Sequence, residues 1–406
     1  MPIIKLQGLS GGDRRCEFGF LQEYIDWTQG QESPEDYHIW TALSMVACAL
    51  GRRVFLNRRF FNLYPNMLVL LIGESAFLRK STSIRMGVNM LKKSCDDLNI
   101  FAQKITPEAL IGNLATRFEE THLSEAIIYS SEFASFFGKA KVDPSLIDVI
   151  TDLYDCPDFW EYETRGRGKE TCNNVCLNMI AGSTPEWLKR SLPEEMLSGG
   201  FYSRLVPVFR TEGRERDPFP EDRSSPEQRI AYENCLNDLR EINGMVGEFT
   251  WTLKAKELYA AWYSDYGDNF ETIDFTKGYY GRKQDLIIKL AMLISACMNS
   301  KRVIDEQGIN FALTLLVDNE KHMRELTSEM GQTQTGVMNE KVLLAIRKMF
   351  KSSGHKPVPY SPLLRNFSGR IRQFEMKEIL ATLENSGQIQ RDMSGRGNAY
   401  TPVEQS

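Results

Sequence analysis

From about residue 17 to residue 62 the apolar positions recur at spacings of three and four. Phe20, Leu21, Tyr24 and Ile25, then Trp40, Leu43, Val46, Ala47 and Leu50, predict helices with one buried stripe. The pattern then changes. NMLVLLIG is a continuous apolar run of strand length that ends in a glycine, and a helical stretch opens after it near Lys80. Thr106-Pro107-Glu108 marks a helix start with proline at the first helical position, and that helix is expected to run to about Glu119. Two more buried-strand runs follow: AIIYSS, ending at Glu132, and VCLNMIAGS, ending at Ser183. Apolar strands separated by helices predict an α/β domain, a mostly parallel sheet covered on both faces in three layers.

Polar stretches divide the rest. EGRERDPFPEDRSSPEQ (212–228) is a linker or long surface loop, and helical spacing returns over 229–327 as a helical lid, notably at Leu286, Ile287, Leu290, Leu293, Ile294 and at Phe311, Leu315, Leu316. A second linker at 328–337 leads to a compact C-terminal unit, 338–406. There the order is helix, short helix opening at Ser361-Pro362, helix, and two short strands around SGRG, which is the order of a winged helix-turn-helix. The expected organisation is therefore a helical N-terminal cap (1–62), a core (63–211), a lid and the terminal unit.

Composition narrows the class little: of 406 residues, 42% are hydrophobic and 25% charged, so a disordered or fibrous chain is excluded. Eight cysteines show no repeated short spacing, which points to reduced thiols and to no disulfide framework or zinc site. The N-terminus lacks a long apolar core and no run reaches about 18 apolar residues, so a soluble, cytoplasmic protein with no membrane partner is expected. Charge is uneven. The formal net charge is -5, yet residues 338–406 hold eleven Lys/Arg against six Asp/Glu, +5, which leaves -10 for residues 1–337.

Between the first strand and its helix stands GESAFLRKST, residues 73–82. A phosphate loop needs a glycine-bearing turn whose N–H groups and following helix N-terminus cradle phosphate oxygens, a lysine for the outer phosphates and a hydroxyl for magnesium. Gly73, Glu74, Ser75, Ala76, Phe77, Leu78, Arg79, Lys80, Ser81 and Thr82 fill those places, with one residue more than the usual spacing and Arg79 where a second glycine is expected. The alternative is an ordinary strand-to-helix turn. Hydrolysis needs a carboxylate at a neighbouring strand end to orient water. Glu132 is that general-base candidate and Ser131 a weaker partner for a magnesium water; otherwise Glu132 is a surface glutamate opening a loop.

YPNMLVLLIGESAFLRKSTSI resembles a phage and plasmid family, long labelled as of unknown function, that accompanies primase modules and whose loop typically reads G-P-S-G-x-x-R-K-S. The likeness spans roughly residues 17–320. This chain has Ala76 where glycine is usual and Glu74 where proline is common. The resemblance implies a P-loop NTPase of the AAA+/RecA-like kind that uses ATP and Mg2+. In related motors a polar sensor ends the next strand, which implies that role for Ser183 and Thr184; both also suit helix caps before Pro185. Hexameric motors insert an arginine into the neighbour's site, which implies Arg204; a structural surface arginine is the alternative.

The order of these parts is similar to the minichromosome-maintenance branch of AAA+ helicases. It implies a pore hairpin with Arg165, Gly166, Arg167, Gly168 and Lys169 at its tip, gripping single-stranded DNA by its phosphates, unless this is a plain solvated turn. It also implies Arg282 as a second phosphate contact. In the C-terminal unit Arg370, Arg372, Lys377 and the wing's Arg396 suit duplex DNA, though winged helices also bind proteins.

The expected function is an ATP-dependent DNA helicase or translocase of phage or plasmid replication, a homo-oligomer and specifically a hexamer, with hydrolysis at subunit interfaces. The alternative is a weakly hydrolysing DNA-binding initiator or helicase loader. A regulatory ATPase acting on protein is a third class.

Overall fold

The structure is a computed structural model that describes residues 19–102, 104–137, 143–164, 168–191, 200–219, 225–268, 277–331, 334–367, 373–392 and 398–403. Two compact units divide it, Met1–Leu326 and Thr327–Ser406.

In the first unit the helices α1 (Gly19–Trp27) and α2 (Glu35–Leu50) precede a small hairpin of β1 (Val54–Asn57) and β2 (Asn62–Leu63). The core follows as β3 (Leu68–Ile72), α3 (Lys80–Ser94), β4 (Ile100–Phe101), α4 (Pro107–Thr121), β5 (Ser124–Ser130), α5 (Phe133–Phe137) and α6 (Pro144–Tyr154). It continues through β6 (Phe159–Thr164), β7 (Gly168–Asn173), β8 (Val175–Ser183), α7 (Pro185–Ser191) and β9 (Leu205–Phe209). The unit is completed by α8 (Pro226–Asn243), β10 (Gly247–Glu248), β11 (Thr250–Trp251), α9 (Leu253–Asp268), α10 (Lys277–Asn299), β12 (Val303–Ile304) and α11 (Glu306–Gly331).

Five strands pair in parallel in the order β4-β5-β8-β3-β9. β3 and β8 are buried at every residue, as expected of central strands covered on both faces. Val69 and Leu71 of β3 join one apolar cluster with residues of α1, α2, α3, α8, α10 and α11. Strand alternation turns Leu68, Leu70 and Ile72 to the other face, where α5 and α6 pack on β8. The α/β class with a covered parallel sheet is thus observed. Since β3 has neighbours on both sides while the chain leaves it for the distant β4, the carboxyl ends of β3 and β8 flank a topological switch point, where open α/β sheets take ligands.

Local signals set the helix starts. Thr106 caps α4 by accepting from the Ala109 N–H at 3.3 Å, with Pro107 at the first position, and the helix expected to reach Glu119 reaches Thr121. Ser225 and Gln228 form a reciprocal capping box on α8, again with proline first.

Four expected spans differ. The region 1–62 is not wholly helical, since it holds β1 and β2. The helices of 229–327 share one core with α1, α2 and the sheet, so they are a layer of the same unit. The run 212–228 is no domain boundary: Arg214 donates to the Thr28 carbonyl at 2.9 Å and to Glu35 at 2.8 Å, strapping that stretch to the segment before α2. Likewise the expected linker 328–337 is largely helical, as α11 continues to Gly331 and α12 (Gln334–Ser352) begins three residues later.

The second unit has its own core, with Val342, Ile346, Leu363, Met376 and Leu380 at its centre. After α12 come β13 (Val358–Pro359), α13 (Tyr360–Asn366), α14 (Gln373–Asn385), β14 (Ile389–Asp392) and β15 (Ala399–Pro402), the strands pairing in the order β13-β15-β14. This is the expected sequence of three helices and a hairpin. Among the described residues no helix is long and apolar enough to cross a membrane.

Candidate functional site

Residues 73–79 bridge the end of β3 and the start of α3. Gly73 sits where nothing larger fits: a Cβ there would lie 2.4 Å from Leu78 Cδ1, 2.6 Å from the Tyr37 hydroxyl and 2.8 Å from the Arg210 carbonyl. The Tyr37 hydroxyl donates to the Ile72 carbonyl at 2.6 Å and the Gly73 N–H donates to the Ser183 carbonyl at 3.2 Å, so the turn is fixed to α2 and to the end of β8. Leu78 is fully buried and anchors the loop. Ala76 and Arg79 both adopt left-handed backbone, with φ of 62° and 49°. The resembled family's loop has glycine at position 76, and the usual phosphate loop has glycine at position 79. The backbone shape is kept without the residue that adopts it freely. Arg79 is held from outside, its Nε donating to Glu32 Oε2 at 2.7 Å; that hydrogen bond is the main cause that lowers the Glu32 carboxyl below its ordinary value.

Lys80 opens α3 and is only 8% exposed. Its Nζ donates to the carbonyls of Gly73 at 2.7 Å and Glu74 at 2.8 Å. Burial pushes its pKa down to about 8, against the opposing charges of Glu186, Glu74 and Glu132. Three carboxylates therefore act on this lysine by their charge, from the loop, from the end of β5 and from the first turn of α7. Thr82 and Ser83 donate back to the Arg79 carbonyl, at 2.9 and 3.1 Å. The N–H groups of Lys80 and Ser81 have no backbone acceptor among the described residues, the usual condition of a helix start that can take an anion.

The neighbouring strand ends converge here. Ser81 Oγ lies 3.5 Å from the Ser131 carbonyl, and Gly182 permits the approach, since a Cβ there would meet that same carbonyl at 2.8 Å. Glu132 is exposed, and its carboxylate accepts from Ser135 Oγ at 3.3 Å. Ser183 is buried with its hydroxyl 3.5 Å from the Thr184 carbonyl, and register pairs it with Ile72. Thr184 caps α7, accepting from the Trp187 N–H at 3.3 Å, so its capping role is realised.

No protein-family model matches the chain, and no curated protein matches it. The geometry itself therefore carries the functional argument.

Arg204 and Arg282 lie elsewhere. Arg204 ends a 3-10 turn just before β9, and the pairing of Leu68 with Leu205 puts it at the amino end of the sheet, opposite the loop of Lys80. It donates to the Gly200 carbonyl at 2.8 Å and to Asp155 Oδ2 at 2.5 Å, while Arg282 of α10 donates to Asp155 Oδ1 at 3.0 Å. Burial alone would raise the Asp155 carboxyl; the Arg204 hydrogen bond and the two guanidinium charges outweigh it and hold the carboxyl below its ordinary value. The expectation of Arg282 as a second phosphate contact is not met within one chain, because the Asp155 pairing draws it to the far end. These residues line a cavity of about 330 Å³ with Phe61, Asn66 and Lys289. Lys289 is 3% exposed, its Nζ 2.8 Å from Asn66 Oδ1 and 4.0 Å from the Tyr154 ring centre.

Asp155, Glu186 and Lys289 were not singled out from the sequence. Lys289 had a visible signal, a lone cation inside the apolar helical run LIIKLAMLIS.

The expected hairpin exists as antiparallel β6 and β7, with Thr164 opposite Gly168. Arg165, Gly166 and Arg167 fall outside the described residues, and Lys169 forms an ion pair with Glu161 within the hairpin. In the second unit Lys377 is exposed on α14, while Arg370, Arg372 and Arg396 fall outside the described residues.

Proposed function

We propose that this chain is an ATP-hydrolysing P-loop motor that moves DNA, of the AAA+/RecA-like kind, akin to the primase-associated phage and plasmid family and working as a hexameric ring. The observation that carries this reading is the meeting of Lys80 and the open α3 N-terminus with Glu132, Ser131 and Ser183 at the carboxyl ends of β3, β5 and β8.

The donor set fits a nucleotide triphosphate with magnesium: a buried cation, two N–H groups without backbone acceptors, one hydroxyl and one exposed carboxylate. Magnesium-bound ATP would supply a transferable phosphoryl group, with the cation offsetting part of its charge. Lys80 would exchange the carbonyls of Gly73 and Glu74 for phosphate oxygens. Ser81 would hold the cation, with Ser131 on its outer side. Glu132 would orient and deprotonate water, and Ser183 would fix that water's position. Arg204, at the far end of its own sheet, would serve an adjacent subunit's site, and the Asp155 pairing makes Arg282 its companion there. The three-helix-and-hairpin order of the second unit supports a winged helix, with the exposed Lys377 placed to meet duplex phosphate.

A weakly hydrolysing initiator or loader is favoured by two features, the charge of Glu74 felt at Lys80 and a serine in place of a second carboxylate at 131. Steady-state ATP turnover, with and without single-stranded DNA, separates the two for wild type, Lys80→Ala and Glu132→Gln. DNA-stimulated turnover lost in both variants is expected. DNA binding with wild-type turnover no higher than the variants' would leave the initiator.

A further inference from the structure

The β1–β2 hairpin carries Arg58, Arg59, Phe60 and Phe61 at its tip, a run the candidate nucleotide site does not use. The tip is an ordered turn. The Arg58 N–H donates to the Phe61 carbonyl at 2.9 Å, and the Arg59 N–H to Asn57 Oδ1 at 2.7 Å, with Arg59 in left-handed backbone at φ 70°. Such a turn ordinarily recruits glycine, asparagine or aspartate. Here Phe60 is 84% exposed and Phe61 53% exposed. Neither arginine makes an ion pair among the described residues; each lies by a ring instead, Arg59 at 4.9 Å from the Phe60 centre and Arg58 at 5.9 Å from that of Tyr259. The aromatic row continues along α9, where Tyr259 meets the half-exposed Tyr263 at 6.0 Å and Trp262 stacks on Tyr266 at 4.7 Å.

We infer that this tip is a contact for single-stranded nucleic acid, with Phe60 stacking on a base and Arg58 and Arg59 taking flanking phosphates. Two arginines beside two exposed rings offer, at one turn, contacts for phosphates and for a base face, and an unpaired strand presents base faces that a duplex keeps stacked. Asp285 feels the charge of Arg58, but neither guanidinium is held in an ion pair among the described residues, so both are available to phosphate. A membrane surface would instead favour a broad apolar face with its cations gathered at the rim, which two rings and two guanidinium groups at one four-residue turn do not make. The inference rests on the hairpin itself and does not require that the chain hydrolyse ATP.

The test is fluorescence anisotropy of a labelled oligothymidylate with the full chain, without nucleotide, across a salt series. Arg58→Ala/Arg59→Ala is expected to weaken binding and to flatten the log–log salt slope by about 1.4, two phosphates at roughly 0.7 each. Phe60→Ala is expected to weaken binding on the order of tenfold with the slope unchanged, and Phe60→Tyr to restore it. All three variants should melt with wild type, because the tip lies outside the core. Wild-type affinity in both alanine variants would overturn the inference. So would variants that lose only anionic-vesicle binding, or only self-association, while oligothymidylate affinity stays. Lys80→Ala should bind the oligonucleotide normally, so failure of the motor reading and failure of this contact give different results.

Discussion

The ammonium of Lys80 donates to the carbonyl of Gly73 at 2.7 Å, tying the first residue of α3 to the residue that ends the β3 run. Both groups are buried from bulk water there, which sets the electrostatics of the loop. Burial disfavours the ammonium, so the folded chain releases this proton near pH 8 against an ordinary value of 10.5. The sign follows: between those two values the unfolded chain binds more protons, so stability rises with pH through that window.

A phosphate anion drawn to Lys80 reverses the shift, and nucleotide binding above pH 8 should therefore take up a proton. At pH 8.5 the uptake is expected to approach roughly three-quarters of a proton, from a free pKa of about 8. Calorimetric titration with ATP in two buffers of different ionisation enthalpy measures it. Lys80→Arg, charged throughout, should show none. No uptake by wild type would remove Lys80 from the phosphate contact.

Ala76 gives a second expectation. Its φ of 62° is left-handed backbone that costs an alanine about 1–2 kcal/mol and a glycine almost nothing. Glycine loses part of that gain to its freer unfolded chain. Ala76→Gly should therefore raise stability by roughly 0.5–1 kcal/mol, read as a higher denaturant midpoint at unchanged slope. Arg79→Gly shares the backbone gain but forfeits the Glu32 pair, and should gain less.

How far the sequence was legible follows from which contacts are local. The runs ending at Gly73, Glu132 and Ser183 announced three strand ends, and these ends do meet in one place, because a continuous apolar run can only be buried between two helical layers. Lys80 was legible from its position after the first of them. The Arg214 strap was not: its partners, Thr28 and Glu35, lie on another segment, and polarity alone made the stretch resemble a linker. Nor was the fate of Arg282, set by an aspartate 127 residues away in sequence. The exposed tip Arg58 to Phe61 hid inside a region of helical spacing because strands of four and two residues leave little periodic signal.

Arg204 carries the last expectation, since its place in the sheet decides whose site it can serve. Leu205 pairs with Leu68 and Phe209 with Ile72, so the strand between those pairs alone, four steps of about 3.3 Å or roughly 13 Å, lies between Arg204 and the loop of its own chain. If hydrolysis needs this guanidinium, it must act on a neighbour. Lys80→Ala and Arg204→Ala should each be inactive alone, and mixing them should restore turnover. In a random one-to-one ring one interface in four joins an intact Lys80 to an intact neighbouring Arg204, so recovery to roughly a quarter of wild type is expected. Recovery should vanish on dilution below the assembly concentration. A mixture as inactive as its parts, under conditions where wild type assembles and turns over, would place Arg204 outside the reaction and leave it a structural partner of Asp155.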